Sequence, residues 1–143
     1  MSQVDLDTSV GYLLKQASSA LHSAMDEVLR PLGMNITQYS CLELLAQRPG
    51  MSNSDLARGA FVSRQSMNVL LRSMVRDGFV TRPEQAPTGR ALPAQLTALG
   101  RERLTSASAA VRVVEVRMNR GLDAAQQAAL RELLANCVTS LTP

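Results

Sequence analysis

Aromatic side chains are scarce in this chain of 143 residues, which has no tryptophan, two tyrosines and two phenylalanines. Leucine, alanine, valine and methionine therefore supply most of the apolar mass, a mix that favours helices over sheets. Histidine occurs once, at His22, which excludes a histidine-based metal cluster. The two cysteines, Cys41 and Cys137, stand far apart in sequence and form neither a disulfide framework nor a zinc-ligand spacing. No stretch reaches the ~20 apolar residues of a membrane span, so no membrane association is expected. Residues 1–7 lack a basic region followed by an apolar one, so a secretory signal is not expected and a cytoplasmic location is. A Gly-x-Ser-x-Gly elbow, a phosphate-cradling glycine loop and a dinucleotide fingerprint are all missing. The chain reads as no enzyme, with no cofactor and no metal.

What is present is a series of amphipathic helices in one domain long enough to bury a core. Val10, Leu13, Leu14, Ala17, Leu21, Ala24 and Val28 keep a helical period, and Pro31 and Gly33 punctuate its end. Asn35-Ile-Thr-Gln38 is a capping-box arrangement that opens a second helix, with Tyr39, Leu42, Leu45 and Ala46 on its inner side. Ser52 caps a short helix that carries Leu56 and Ala57. Phe61-Val62 makes a turn, and Ser63 caps the next helix, which ends towards Gly78. Phe79–Arg82 and Ala91–Leu96 read as two strands of a hairpin, the second interrupted by Pro93. Thr97 opens a long helix to about Arg120, with a stripe of Leu104, Ala107, Val111, Val114, Met118 and Leu122 and a second of Ala110, Val113 and Val116. Asp123-Ala-Ala-Gln126, another capping box, opens a last helix bearing Leu130, Leu133, Leu134, Cys137, Val138 and Leu141.

The helix after Ser63 is the most informative element. Val62, Met67, Leu70, Leu71 and Met74 form its apolar flank, while Ser63, Arg64, Gln65, Asn68, Arg72 and Arg76 occupy the other. Such a helix packs on a domain with one flank and lies in a DNA groove with the other. Arg64, Gln65 and Asn68, in its first turns, are the types that make paired hydrogen bonds to guanine or adenine edges. Ser63 and Ser66 are short and near the N-terminus, which suits phosphate contact, and Arg72 is placed for the DNA backbone. In residues 54–92 six arginines outnumber Asp55, Asp77 and Glu84, whereas acids outnumber bases before residue 54. That concentration fits a phosphate backbone, although a solvated basic face has the same composition. Arg90, in the hairpin loop, is of the type that enters a narrow minor groove.

The terminal helices carry too much apolar surface for a small domain to cover. A twofold dimer with interlocked ends is the economical solution, against completion of a monomeric core. Cys41 and Cys137 read as small buried hydrophobes, with a redox switch as the alternative. Tyr12, His22, Met25 and Tyr39 are candidates for lining a small-molecule cavity, although His22 can equally be a packed or exposed histidine.

Five segments, in order, resemble the MarR family of bacterial winged-helix regulators. Gly33-Met-Asn-Ile-Thr-Gln38 is similar to that family's Gly-Leu-Thr-x-x-Gln, and Ser54-Asp-Leu-Ala57 to its Ser-Glu-Leu-Ala. Val62-Ser-Arg-Gln-Ser-Met67 resembles the start of its recognition helix. Met74-Val-Arg-Asp-Gly-Phe-Val80 and Leu96-Thr-Ala-Leu-Gly100 are similar to Leu-x-x-x-Gly-Leu-Val and Leu-Thr-x-x-Gly. The resemblance implies a homodimer on pseudopalindromic double-stranded DNA, and repression relieved by a small phenolic or anionic effector held between the dimer helices and the DNA-binding lobe. Thr88-Gly89-Arg90-Ala91 departs from the family's Asp-x-Arg wing, since the acid that braces the arginine is absent. The cysteine that some members carry near the start of the first helix is also absent.

The expected architecture is mainly α: a winged helix-turn-helix over residues 33–100, with a small β-hairpin wing, flanked by dimerisation helices in 1–32 and 101–143. The expected function is a ligand-responsive, sequence-specific DNA-binding repressor. A cysteine-based redox-sensing regulator and a dimeric adaptor with weakened DNA binding are the rival readings.

Overall fold

Side-chain caps at the helix starts set the punctuation of the fold. The computed structural model describes residues 2–82 and 93–143. Helix α1 spans Val10–Leu29, with Ser9 Oγ accepting from the Tyr12 amide, and a short 3-10 turn over Arg30–Leu32 follows. Then come α2 (Ile36–Gln47), α3 (Asn53–Gly59) and α4 (Arg64–Arg76). Strands β1 (Val80–Thr81) and β2 (Gln95–Leu96) precede α5 (Ala98–Met118) and α6 (Ala124–Leu141). The capping boxes at Asn35/Gln38 and Asp123/Gln126 both form: each cap side chain accepts from the third helical amide, and the glutamine side chain accepts from the cap amide. Ser52 and Asp55 make a third at the head of α3. Each such cap holds its helix by about 1 kcal/mol.

The two strands pair antiparallel, Val80 opposite Leu96 and Thr81 opposite Gln95. They are shorter than the spans expected from the sequence. Phe79 belongs to the end of α4: Gly78 sits at φ 83°, and the Phe79 amide donates to Met74 O at 2.9 Å. This is the left-handed helix stop that glycine favours. On the other side Pro93 brings no amide to a ladder, and Ala91 and Leu92 lie outside the described residues, as do Thr88, Gly89 and Arg90, which the sequence assigns to the hairpin loop.

Leu29, Cys41, Leu42, Leu56, Met67, Leu71, Met74 and Val80 are fully buried. Leu104, Ala107 and Val111 of α5 join the same cluster, so α5 packs on the core formed with α2, α3 and α4 and also on α1. Ala46, expected on the inner side of α2, is exposed, and Leu122 falls beyond the end of α5. No residue of α6 is buried. Leu130, Leu133, Leu134, Val138 and Leu141 stay exposed, as do Val113 and Val116 of α5 and Val10, Leu13 and Leu14 of α1. The second stripe of α5 thus faces outward, because the helices of one chain do not cover it. Among the described residues no helix is long and apolar enough to cross a membrane.

Candidate nucleic-acid interface

Helices α3 and α4 pack on one another across a tight turn. Ala57, 4% exposed, allows the close crossing, and its carbonyl accepts from the Val62 amide at 3.0 Å. Ser63 caps α4, its Oγ accepting from the Ser66 amide at 3.0 Å and donating to Ser66 Oγ at 2.9 Å. One flank of α4 is locked into the core through Met67, Leu71 and Met74, each 0% exposed. The anchored flank fixes how the helix presents its other side.

Arg64, Gln65, Ser66 and Arg72 are exposed on α4. Arg58 pairs with Asp55, and Arg76 lies 3.4 Å from Asp77, but no ion pair among the described residues engages Arg64 or Arg72. The sequence of α4 contains no acid. Two exposed guanidiniums therefore sit on α4 with no acid against them among the described residues. Asn68 is placed differently from Arg64 and Gln65. It is half-buried, and its Oδ1 accepts from Asn53 Nδ2 at 2.7 Å, tying α4 to α3. One half of the carboxamide that would pair with adenine is already engaged. Asn53 escaped the sequence reading because its only signal is a contact across 15 positions. Arg90 lies outside the described residues.

The four effector candidates do not converge within one chain. Tyr12 borders a depression with Leu6 and Gln16. His22 is exposed on an open groove with Asp26 and Arg30. Met25 and Tyr39 are half-buried against the core. Helical periodicity shows which face each residue occupies but not which faces meet. A groove of about 730 Å³ runs along α5 beside α2, lined by Glu43, Leu104, Ser108, Arg112, Val116 and Arg120 among others. Tyr39 backs it, its hydroxyl donating to the Glu43 carboxylate. Burial first, and Glu43 second, hold the Tyr39 hydroxyl protonated well above the usual tyrosine range, while a bond with Ser108 acts the other way. Polar residues breaking the apolar stripes of α5 were the available signal for this groove.

Cys41 is 0% exposed, and burial pushes its thiol up to about 11. A thiol so held is a poor nucleophile near neutrality. Cys137 is half-exposed on α6.

The MarR family profile matches residues 32–91, a stretch that includes α2, α3, α4 and β1. The HTH-type transcriptional repressor Rv2887 of Mycobacterium tuberculosis is 40% identical over 128 residues, covering 90% of this chain and 92% of the relative. Its solved structure with DNA covers 92% of this chain and 98% of its own, at 37% identity and a TM-score of 0.74. Its structure with salicylic acid matches at 39% identity over 92% of this chain and 97% of its own, with a TM-score of 0.75. The transcriptional repressor CouR, bound to a 23-mer DNA duplex, is 25% identical over 96% of this chain and 99% of its own, with a TM-score of 0.81. With a winged helix-turn-helix architecture, an exposed basic face on α4 and near full-length relatives, this chain belongs to the MarR family of transcriptional regulators.

Proposed function

We propose that this chain is a cytoplasmic homodimeric repressor that sets its two α4 helices into successive major grooves of a pseudopalindromic duplex and leaves when an aromatic acid or phenol binds. One observation carries the DNA reading: an acid-free helix, fixed in the core by Met67, Leu71 and Met74, exposes Arg64 and Arg72, neither of them in an ion pair among the described residues. Arg64 and Gln65 read base edges, and Asn68 joins them through the carboxamide nitrogen that Asn53 leaves free. Ser63, Ser66 and Arg72 hold the phosphate backbone, and Arg90 reaches the minor groove from the wing. Residues 33–100 form the DNA-binding lobe; 1–32 and 101–143 form the dimerisation helices.

The dimer is supported by the uncovered leucines and valines of α1, α5 and α6, an apolar surface larger than a soluble monomer leaves exposed. Two half-sites then lie about 34–36 Å apart, one turn of B-form DNA. For the effector, the groove between α2 and α5 joins Arg112, a cation for a carboxylate, to apolar walls of Leu104 and Val116. Tyr39 backs this site, and Tyr12, His22 and Met25 complete it only if the partner's helices close over it. The effector binds the dimer geometry with mismatched half-site spacing more tightly, and so draws the population off DNA.

The test is selection of bound duplexes from a random pool, followed by titration of the selected DNA with the native chain and with Arg64→Ala. The variant should lose about 1–3 kcal/mol at the selected site and relax specificity at one position. Salicylate should release the DNA from the native chain, and Arg112→Ala should need more of it. Equal affinity and specificity for Arg64→Ala would remove the recognition-helix assignment.

A further inference from the structure

Phe61, in the α3–α4 turn, combines two unfavourable features that the fold does not explain. Among the described residues it is the one non-glycine position with positive φ, at 61°. Among the described residues it is also the most exposed large apolar side chain, at 94%. The left-handed region crowds a Cβ against the backbone, and an exposed phenyl ring gives up burial. Glycine would remove both penalties. The turn does not need the ring, because backbone bonds close it: Phe61 N donates to Arg58 O at 3.3 Å and Val62 N to Ala57 O at 3.0 Å. Val62, not Phe61, packs on the core. Strain held at a residue whose side chain is 94% exposed points to a contact outside the chain.

The place of the ring says what that contact is. Phe61 lies two residues before the Ser63 cap and three before Arg64, at the end of α4 that carries Arg64 and Gln65. The apolar surface assigned to dimerisation lies instead on α1, α5 and α6. We propose that Phe61 contacts duplex DNA, its ring packing on the deoxyribose edge of the major groove as Arg64 and Gln65 enter it. This rests on the reading of α4 as the recognition helix. Sugar rings present C–H surface irrespective of base, so the contact adds affinity and orientation without sequence preference.

Three variants test the contact on two probes of about 30 base pairs, long enough for two half-sites one turn apart: a duplex from the selected pool and a scrambled duplex of the same composition. Phe61→Ala should weaken binding to both by about fivefold to tenfold. The dependence of affinity on salt should keep its slope, because the ring neutralises no phosphate, whereas Arg72→Ala should reduce that slope. Phe61→Gly should lose the same affinity while its urea midpoint rises, since the left-handed position is relieved. Such a split between stability and binding separates a contact from a merely structural role. Unchanged binding by Phe61→Ala and Phe61→Gly would overturn the contact, as would a loss confined to the selected duplex. Arg64→Ala, measured alongside, tells whether the recognition-helix reading survives: a loss there with none at Phe61 overturns only the present inference.

Discussion

Alanine at position 100 sets helix propensity against steric clash in the first turn of α5. Gly100 is buried, and a Cβ built on it would meet the Phe79 carbonyl oxygen at 2.0 Å and its carbon at 3.0 Å. Propensity alone favours alanine by about 1 kcal/mol. A normal carbon–oxygen approach is about 3.3 Å, so the carbonyl has to move by more than roughly 1 Å. It is not free to do so. Phe79 O accepts from the Thr97 amide at 3.1 Å, and Thr97 Oγ1 donates to Gly78 O at 2.6 Å while accepting from the Gly100 amide at 3.0 Å. The Arg103 guanidinium also lies 5.6 Å from the centroid of the Phe79 ring. Overpacking of this kind costs about 1–3 kcal/mol, and loss of the Thr97–Phe79 bond adds about 1 kcal/mol. Clash therefore wins, and Gly100→Ala should destabilise the protein by about 1–3 kcal/mol net. Urea unfolding at fixed protein concentration reads this, since the midpoint of a protein that dimerises moves with concentration. Affinity for selected DNA should fall with it, because β1 carries one root of the wing. A midpoint equal to or above the native one would refute the reasoning, showing that the β1–α5 junction yields at no cost.

Other consequences follow from particular contacts. Leu133→Glu, placed on the uncovered face of α6, should turn the dimer into a folded monomer; light scattering that still gives twice the chain mass at micromolar concentration would exclude this face from the interface. Cys41 has its folded thiol raised from 9.0 to about 11, so its contribution is fully present below pH 9 and lost as pH rises through 11, by up to roughly 3 kcal/mol. Unfolding midpoints across that range should fall for the native chain more than for Cys41→Ala, and a thiol reagent at neutral pH should label Cys137 first. Coupling between Asn53 and Asn68, measured by a double-alanine cycle on stability, should be about 1 kcal/mol; zero coupling would return Asn68 to the freely exposed residues.

Legibility along the chain follows the range of the interactions. Asn35/Gln38 and Asp123/Gln126 were readable because a capping box closes over three residues, and the flank of Met67, Leu71 and Met74 because helical period alone sets it. Phe79 was mistaken for strand because the α4 stop reaches one residue further than Gly78 announces, through its bond to Met74. Tyr12, His22, Met25 and Tyr39 are read by residue type on α1 and α2, and nothing local records that Met25 and Tyr39 pack on the core while Tyr12 and His22 border separate depressions.

By itself the sequence determined the helices, their caps, the order of the elements and the basic, acid-free character of α4, since each depends on neighbours within a few positions. Tertiary structure alone decided that Asn68 is held by Asn53, that Gly100 lies against the Phe79 carbonyl, that Glu43 and Arg112 share a groove, and that α6 has no cover within the chain. Those facts depend on where separately formed helices cross, and crossing geometry follows from the packing of the whole core, not from any one segment.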